Sequence, residues 1–124
     1  ISIYEGGRSD IASGDIDVRP LVVMLYLAER QGGVMVSSLV TGHGVFTKSG
    51  GVSLHSFGRA MDISAVAGVP ILGHQQPGGV TESALRNILM LPAELQPSEL
   101  ISLFAMGGPS FAMADHADHI HVGY

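Results

Sequence analysis

With 124 residues, no cysteine, and six Lys and Arg against eleven Asp and Glu, the chain excludes disulfides, thiolate metal sites and a cationic surface fit for nucleic acid. Its net charge is −5, its hydrophobic content of 46% is that of a globular domain, and its longest apolar run, Leu21 to Ala28, is far short of the roughly 20 residues of a membrane helix. The chain opens on Ile1 rather than Met and reads as a single domain, residues 1–124, excised from a longer protein.

Residues 1–16 mix polar, glycine and apolar types without a period and read as an irregular lead-in. Asp17, Pro20 and the apolar set Leu21, Met24, Leu25 and Ala28 predict an amphipathic helix that ends at Arg30 and Gly32. The β-branched run Val34 to Val40 predicts a strand, and Thr41 to Val52, with four glycines, predicts a loop. A second strand is expected over Ala60 to Ala65, with Val66 to Leu72 returning after a turn at Gly68. Thr81 is expected to cap a helix running to about Leu91, with Ala84, Leu85, Ile88 and Leu89 as its apolar stripe and Pro92 as its stop. Ser98 to Phe104 leans to strand, and His119 to Val122 reads as a short final strand. The expectation is an α+β domain, a small antiparallel sheet with two or more helices packed on it.

Side chains two apart in a strand share a face, so His119 and His121 should project together while Ile120 and Val122 enter the core. Asp62 stands between Met61 and Ile63, which puts an acid opposite two core residues, where a cation would satisfy it. His55 can fold back over Asp62 because Gly58 permits a tight turn, and the small residues Ser53, Ala60 and Ser64 leave room for an ion. His55, Asp62 and His121 would give zinc three protein ligands and leave a fourth position for water. Two His and one acid also describe a facial iron triad, although that site draws its His and acid from a closer pair. Taken singly, each residue has a plainer reading: a hydrogen-bonded histidine, an acid paired with Arg59, a chance His-X-His on an exposed strand.

Ser53, His55, Gly58, Ala60 and Asp62 fill every specified position of S-x-H-x-x-G-x-A-x-D, and His119 precedes His121 by two residues. These motifs resemble those of the zinc-dependent peptidoglycan peptidases, a group of D-alanyl-D-alanine carboxypeptidases, D,D-dipeptidases and murein endopeptidases whose core is shared with the Hedgehog signalling domain. The resemblance is strongest over residues 42–62 and 115–124. It implies a Hedgehog-like fold, one Zn2+ per chain on His55, Asp62 and His121, and hydrolysis of amide bonds in peptidoglycan stem peptides or cross-links. It also implies that His119 acts on the metal-bound water, that His116 is the extra histidine of the endopeptidase branch, and that Ser53 and His116 lie on the substrate side. Asp118 stands where the carboxypeptidase branch has Glu and is the rival base. It is one methylene shorter, and strand alternation should aim it away from His119, so His119 is favoured.

Many carboxypeptidase-type members of the group carry an Arg in the loop that follows the first of these strands, where it can clamp a terminal carboxylate. Here the loop reads Thr41-Gly42-His43-Gly44, which favours an endopeptidase cut or a different amide substrate and leaves His43 or Lys48 as weaker anchors. Arg59 reads as a structural or surface residue, and the loop from His74 to Gly79 either lines the cleft or faces solvent. The resemblance further implies a monomer that is secreted or associated with the cell envelope and does not insert into membranes. The alternative is a non-catalytic module of the same fold that binds zinc and recognises the cell wall.

Overall fold

A computed structural model describes residues 1–124. Three helices, α1 (Glu5–Ala12), α2 (Val18–Gln31) and α3 (Val80–Leu89), accompany seven strands. The strands are β1 (Ser2–Ile3), β2 (Val34–Ser38), β3 (Ala60–Val66), β4 (Val69–Pro70), β5 (Glu99–Ser102), β6 (Ser110–Ala112) and β7 (Ile120–Gly123). They form one open sheet in the order β1-β2-β3-β7-β5-β6, with β4 folded back on β3. The α+β expectation holds, but the sheet is mixed rather than antiparallel, because β1 pairs parallel to β2 and β6 parallel to β5. No helix is long and apolar enough to cross a membrane.

Asp17 starts α2 by accepting from the Arg19 N–H, and Gly32, at φ 89°, ends it. The buried stripe of α2 is Pro20, Val23, Met24 and Leu27, so Leu25, expected inside, faces out. Ala84, Leu85 and Ile88 of α3 are fully buried as expected. Both helices cover the sheet face that carries Val36, Met61, Ile63, Leu100, Ile120 and Val122. Alternation then turns Asp62, Glu99 and His121 to the opposite face, which is the one that matters for chemistry.

Three local readings are corrected. Residues 1–16 are not an irregular lead-in, since β1 and α1 lie within them. The adjacent Gly6 and Gly7 weaken helix propensity but leave room for close neighbours: a Cβ at Gly7 would come within 2.5 Å of the Tyr4 ring, and one at Gly6 within 2.7 Å of Thr41. Thr81 does not cap α3. Gly79 holds that position, while Thr81 is buried in the first turn and its hydroxyl donates to the His74 carbonyl. Strand β2 stops at Ser38, two residues before Val40, because the next turn is captured by α1. There Asp10 accepts from the Val40 and Thr41 N–H groups and the Thr41 hydroxyl, and the Tyr4 hydroxyl accepts from the Leu39 N–H.

Candidate metal centre

The site forms where β3 pairs with β7. Asp62 stands directly opposite His121 in the antiparallel register, and facing Cβ atoms in such a pair are about 4.5–5.5 Å apart. Asp62 Oδ1 accordingly lies 3.1 Å from His121 Nδ1. His55 arrives from a short 3-10 turn, Leu54–Phe57, and places Nε2 3.1 Å from the same oxygen and 3.3 Å from His121 Nδ1. Tetrahedral ligands bonded to an ion at about 2.0–2.1 Å are about 3.3–3.4 Å apart. The three expected ligand atoms are therefore already spaced for one four-coordinate ion. His43 is close by, its ligand atom within 4.8 Å of those of His55 and Asp62, so a His-His-Asp group able to hold a metal ion is present.

The turn that delivers His55 has no freedom at its end. Gly58 closes it at φ 68°, and a Cβ there would lie 1.8 Å from the Asp15 carbonyl oxygen. At its start the Ser53 hydroxyl accepts from the His55 N–H, so Ser53, expected on the substrate side, caps the turn as well as lining the cleft. Arg59 lies with its guanidinium 4.9 Å from the centre of the Phe57 ring.

Each imidazole is oriented through its second nitrogen. His55 Nδ1–H donates to the Leu39 carbonyl at 2.7 Å, which leaves Nε2 facing Asp62. His121 Nε2–H donates to Glu99 Oε1 at 3.0 Å, which leaves Nδ1 for the site. This is the carboxylate–histidine arrangement that fixes a ligand's tautomer and raises its basicity. Gly123 makes it possible, since a Cβ there would crowd both His121 Nε2, at 2.9 Å, and Glu99 Oε1, at 3.0 Å. His119 precedes β7 rather than lying in it. It reaches the site even so, with Nε2 3.9 Å from Asp62 Oδ2 and Nδ1 donating to Asp118 Oδ1 at 2.7 Å. Asp118 is thus aimed at His119 and not away from it, because strand alternation does not apply before Ile120. Its exposed carboxylate orients the histidine from behind.

Electrostatics bind the group together. Burial would raise the Asp62 pKa, but bonds from His121 and His55 outweigh it and hold the carboxyl far below the usual carboxylate range. Burial would likewise lower His121, yet its bonds to Asp62 and Glu99 bring it up to about 9. In the metal-free protein His121 therefore keeps a proton on the nitrogen that a metal needs.

Around the centre lies a cleft of about 570 Å³ whose lining includes Phe46, Val52, Phe111 and Met113. His116, expected on the substrate side, also lines it. Its ring is 4.5 Å from that of His119, its Nδ1 donates to Asp115 at 2.8 Å, and burial holds its pKa below the ordinary value. Lys48 is engaged with the other oxygen of Asp115 at 3.2 Å. The loop from His74 to Gly79 stays out of the cleft but supports it: the Gln75 side-chain amide donates to the His116 and Ala117 carbonyls and accepts from the Leu103 N–H.

Three contributors escape sequence reading: Glu99, the Leu39 carbonyl, and His43 as a member of the group. Glu99 offers one signal, an acid at the edge of the apolar stretch Leu100-Ile101. No protein-family model matches the chain, and no curated protein or solved structure matches it either.

Proposed function

We propose that the protein is a zinc-dependent peptidase of the D-alanyl-D-alanine carboxypeptidase and murein endopeptidase group, with a Hedgehog-like fold, acting on amide bonds of peptidoglycan in the cell envelope. The observation that carries this reading is the convergence of His55 Nε2, Asp62 Oδ1 and His121 Nδ1 at tetrahedral spacing. Two imidazoles and one carboxylate are a donor set suited to zinc with one position open.

Bound zinc would supply Lewis acidity, bringing a water toward a pKa of about 7 and polarising the scissile carbonyl. The chain supplies the rest. His119 Nε2 has its lone pair on the site side and takes the proton of the attacking water, while Asp118 keeps Nδ1 protonated and steadies the imidazolium that results. The same nitrogen then returns the proton to the departing amine. Glu99 fixes the ring of His121 from behind by accepting from its Nε2–H. Phe46, Val52, Phe111 and Met113 give the cleft an apolar lining beside the histidines.

The only lysine or arginine lining the cleft is Lys48, already paired with Asp115. A substrate with a free terminal carboxylate finds no unpaired guanidinium or ammonium there, which supports an internal cut in a cross-link over removal of a terminal residue.

A second reading follows from His43. If its Nε2 closes the coordination shell as a fourth ligand, no position remains for water and the domain is a zinc-holding wall-recognition module. Digestion of cross-linked muropeptides by the zinc-loaded protein separates the two. Release of new amines that His119→Ala abolishes supports the peptidase. No release from any cross-linked or linear stem peptide supports the module.

A further inference from the structure

His119, assigned to proton transfer, stands just before β7 at the end of a segment with few bonds of its own. From Ala114 to His119 the one backbone–backbone hydrogen bond is local, from the His116 N–H to the Met113 carbonyl at 3.0 Å. No strand or helix ladder holds these residues. The ion pair of Lys48 with Asp115 reaches the segment only through an exposed ammonium, and such pairs hold little.

One side chain supplies the missing bonds. The Gln75 amide donates to the His116 carbonyl at 2.8 Å and to the Ala117 carbonyl at 3.1 Å, and its Oε1 accepts from the Leu103 N–H at 2.9 Å. Both N–H donors and the carbonyl oxygen of the primary amide are thereby engaged. Gln75 is itself well anchored. The His74 N–H donates to the Ile71 carbonyl at 2.9 Å, and the His74 carbonyl accepts at 2.8 Å from the hydroxyl of Thr81, which is fully buried in the first turn of α3. A continuous path of bonds therefore runs from α3 to the residues before His119. The two carbonyls that meet at Gln75 Nε2 fix the peptide planes on either side of Ala117, and from the second of these the chain enters Asp118 and then His119. The 2.7 Å bond between Asp118 and His119 is built on that base.

We propose that Gln75 is a positioning residue for hydrolysis: by holding the His116 and Ala117 carbonyls, its side-chain amide sets the Asp118–His119 pair against the open side of the metal centre. The proposal rests on the peptidase reading, with His119 as the group that moves the proton. Gln75 touches neither substrate nor metal ligand, and it acts through the backbone. Displacing a reacting group by about 1 Å costs about 100-fold in rate, so a loose segment is enough to slow the reaction.

The test compares full-length wild type, Gln75→Met, which keeps the length of the side chain without its polar atoms, and Gln75→Ala, all with zinc added. In either variant that keeps the wild-type circular dichroism spectrum, kcat on a cross-linked muropeptide should fall about 10–100-fold. KM and zinc affinity should change less than about threefold. A purely structural bond would lower the melting temperature and leave kcat of the folded protein where it was. Amide 15N order parameters of residues 114–119 give a second readout, expected at about 0.85 in wild type and below about 0.6 in the variants, with β7 unchanged. Wild-type kcat in a folded variant, or a segment as rigid there as in wild type, overturns the proposal. So does a matching loss of zinc affinity, which would place the effect on the ligands, or failure of both variants to fold, which would make Gln75 a support of the whole domain. A wild type that cleaves nothing overturns the peptidase reading and this role with it, whereas a cleaving wild type beside variants of equal kcat overturns this role alone.

Discussion

Glu99 Oε1 lies 3.0 Å from His121 Nε2, on the far side of the imidazole from Asp62. A carboxylate in this place orients a ligand without touching the ion, and its loss typically weakens metal binding by about 10–100-fold. Glu99→Ala should show that drop in a chelator competition, and Glu99→Gln, which keeps an acceptor, a smaller one. Unchanged affinity in Glu99→Ala would show that the bond positions nothing.

Metal uptake should release protons. His121 is raised to about 9 in the metal-free protein, so at pH 7.5 it carries a proton that an ion must displace. Calorimetry in buffers of different ionisation enthalpy should report about one proton released by the ion. A value near zero would contradict Nδ1 of His121 as a ligand.

The same ion should stabilise the fold. A ligand that binds only the folded state at about 1,000 times its Kd adds about 4 kcal/mol. Thermal melts with zinc against melts with chelator should differ by on the order of 10 °C in wild type. In Asp62→Ala the difference should vanish.

Gly58→Ala should damage both the turn and the site. A positive φ costs an L-residue about 1–2 kcal/mol, and the clash with the Asp15 carbonyl adds to that. Urea unfolding should show a loss of at least about 2 kcal/mol. Zinc affinity should fall with it, since the turn carries His55.

Asp10 gives the fold an acid-sensitive element. Burial alone would raise its pKa, but the Thr41 hydroxyl and the Thr41 and Val40 N–H groups outweigh it and lower the value. A depressed folded-state pKa contributes stability that is fully present above the unfolded value of about 3.9 and is lost as pH falls through the folded one. Asp10→Asn should therefore cost about 1–3 kcal/mol at pH 7, with the gap from wild type narrowing below about pH 4. A gap independent of pH would show that the charge is not what matters.

The readable parts of the chain are those governed by local rules. Helix α2 announces itself through Asp17, Gly32 and its apolar spacing, and Asp62 through its place between Met61 and Ile63. His55 and Asp62 could be paired from sequence through the motif spacing and the Gly58 turn, and His121 joined them only through the family resemblance. What stayed hidden depends on register across the sheet. Glu99 meets His121 only because β5 pairs with β7, and Leu39 meets His55 only because α1 pins the turn after β2. Helix α1 itself was masked by Gly6 and Gly7, whose missing side chains serve Tyr4 and Thr41 rather than the helix.

Anomalous scattering at the zinc edge, from crystals of protein loaded with one equivalent of zinc, bears most directly on the metal centre. It should give one peak per chain, about 2.0–2.2 Å from His55 Nε2, Asp62 Oδ1 and His121 Nδ1. The fourth position should hold a solvent oxygen within reach of His119. A peak bonded to His43 in that position, or one lying away from Asp62, would contradict a metal centre built to activate water.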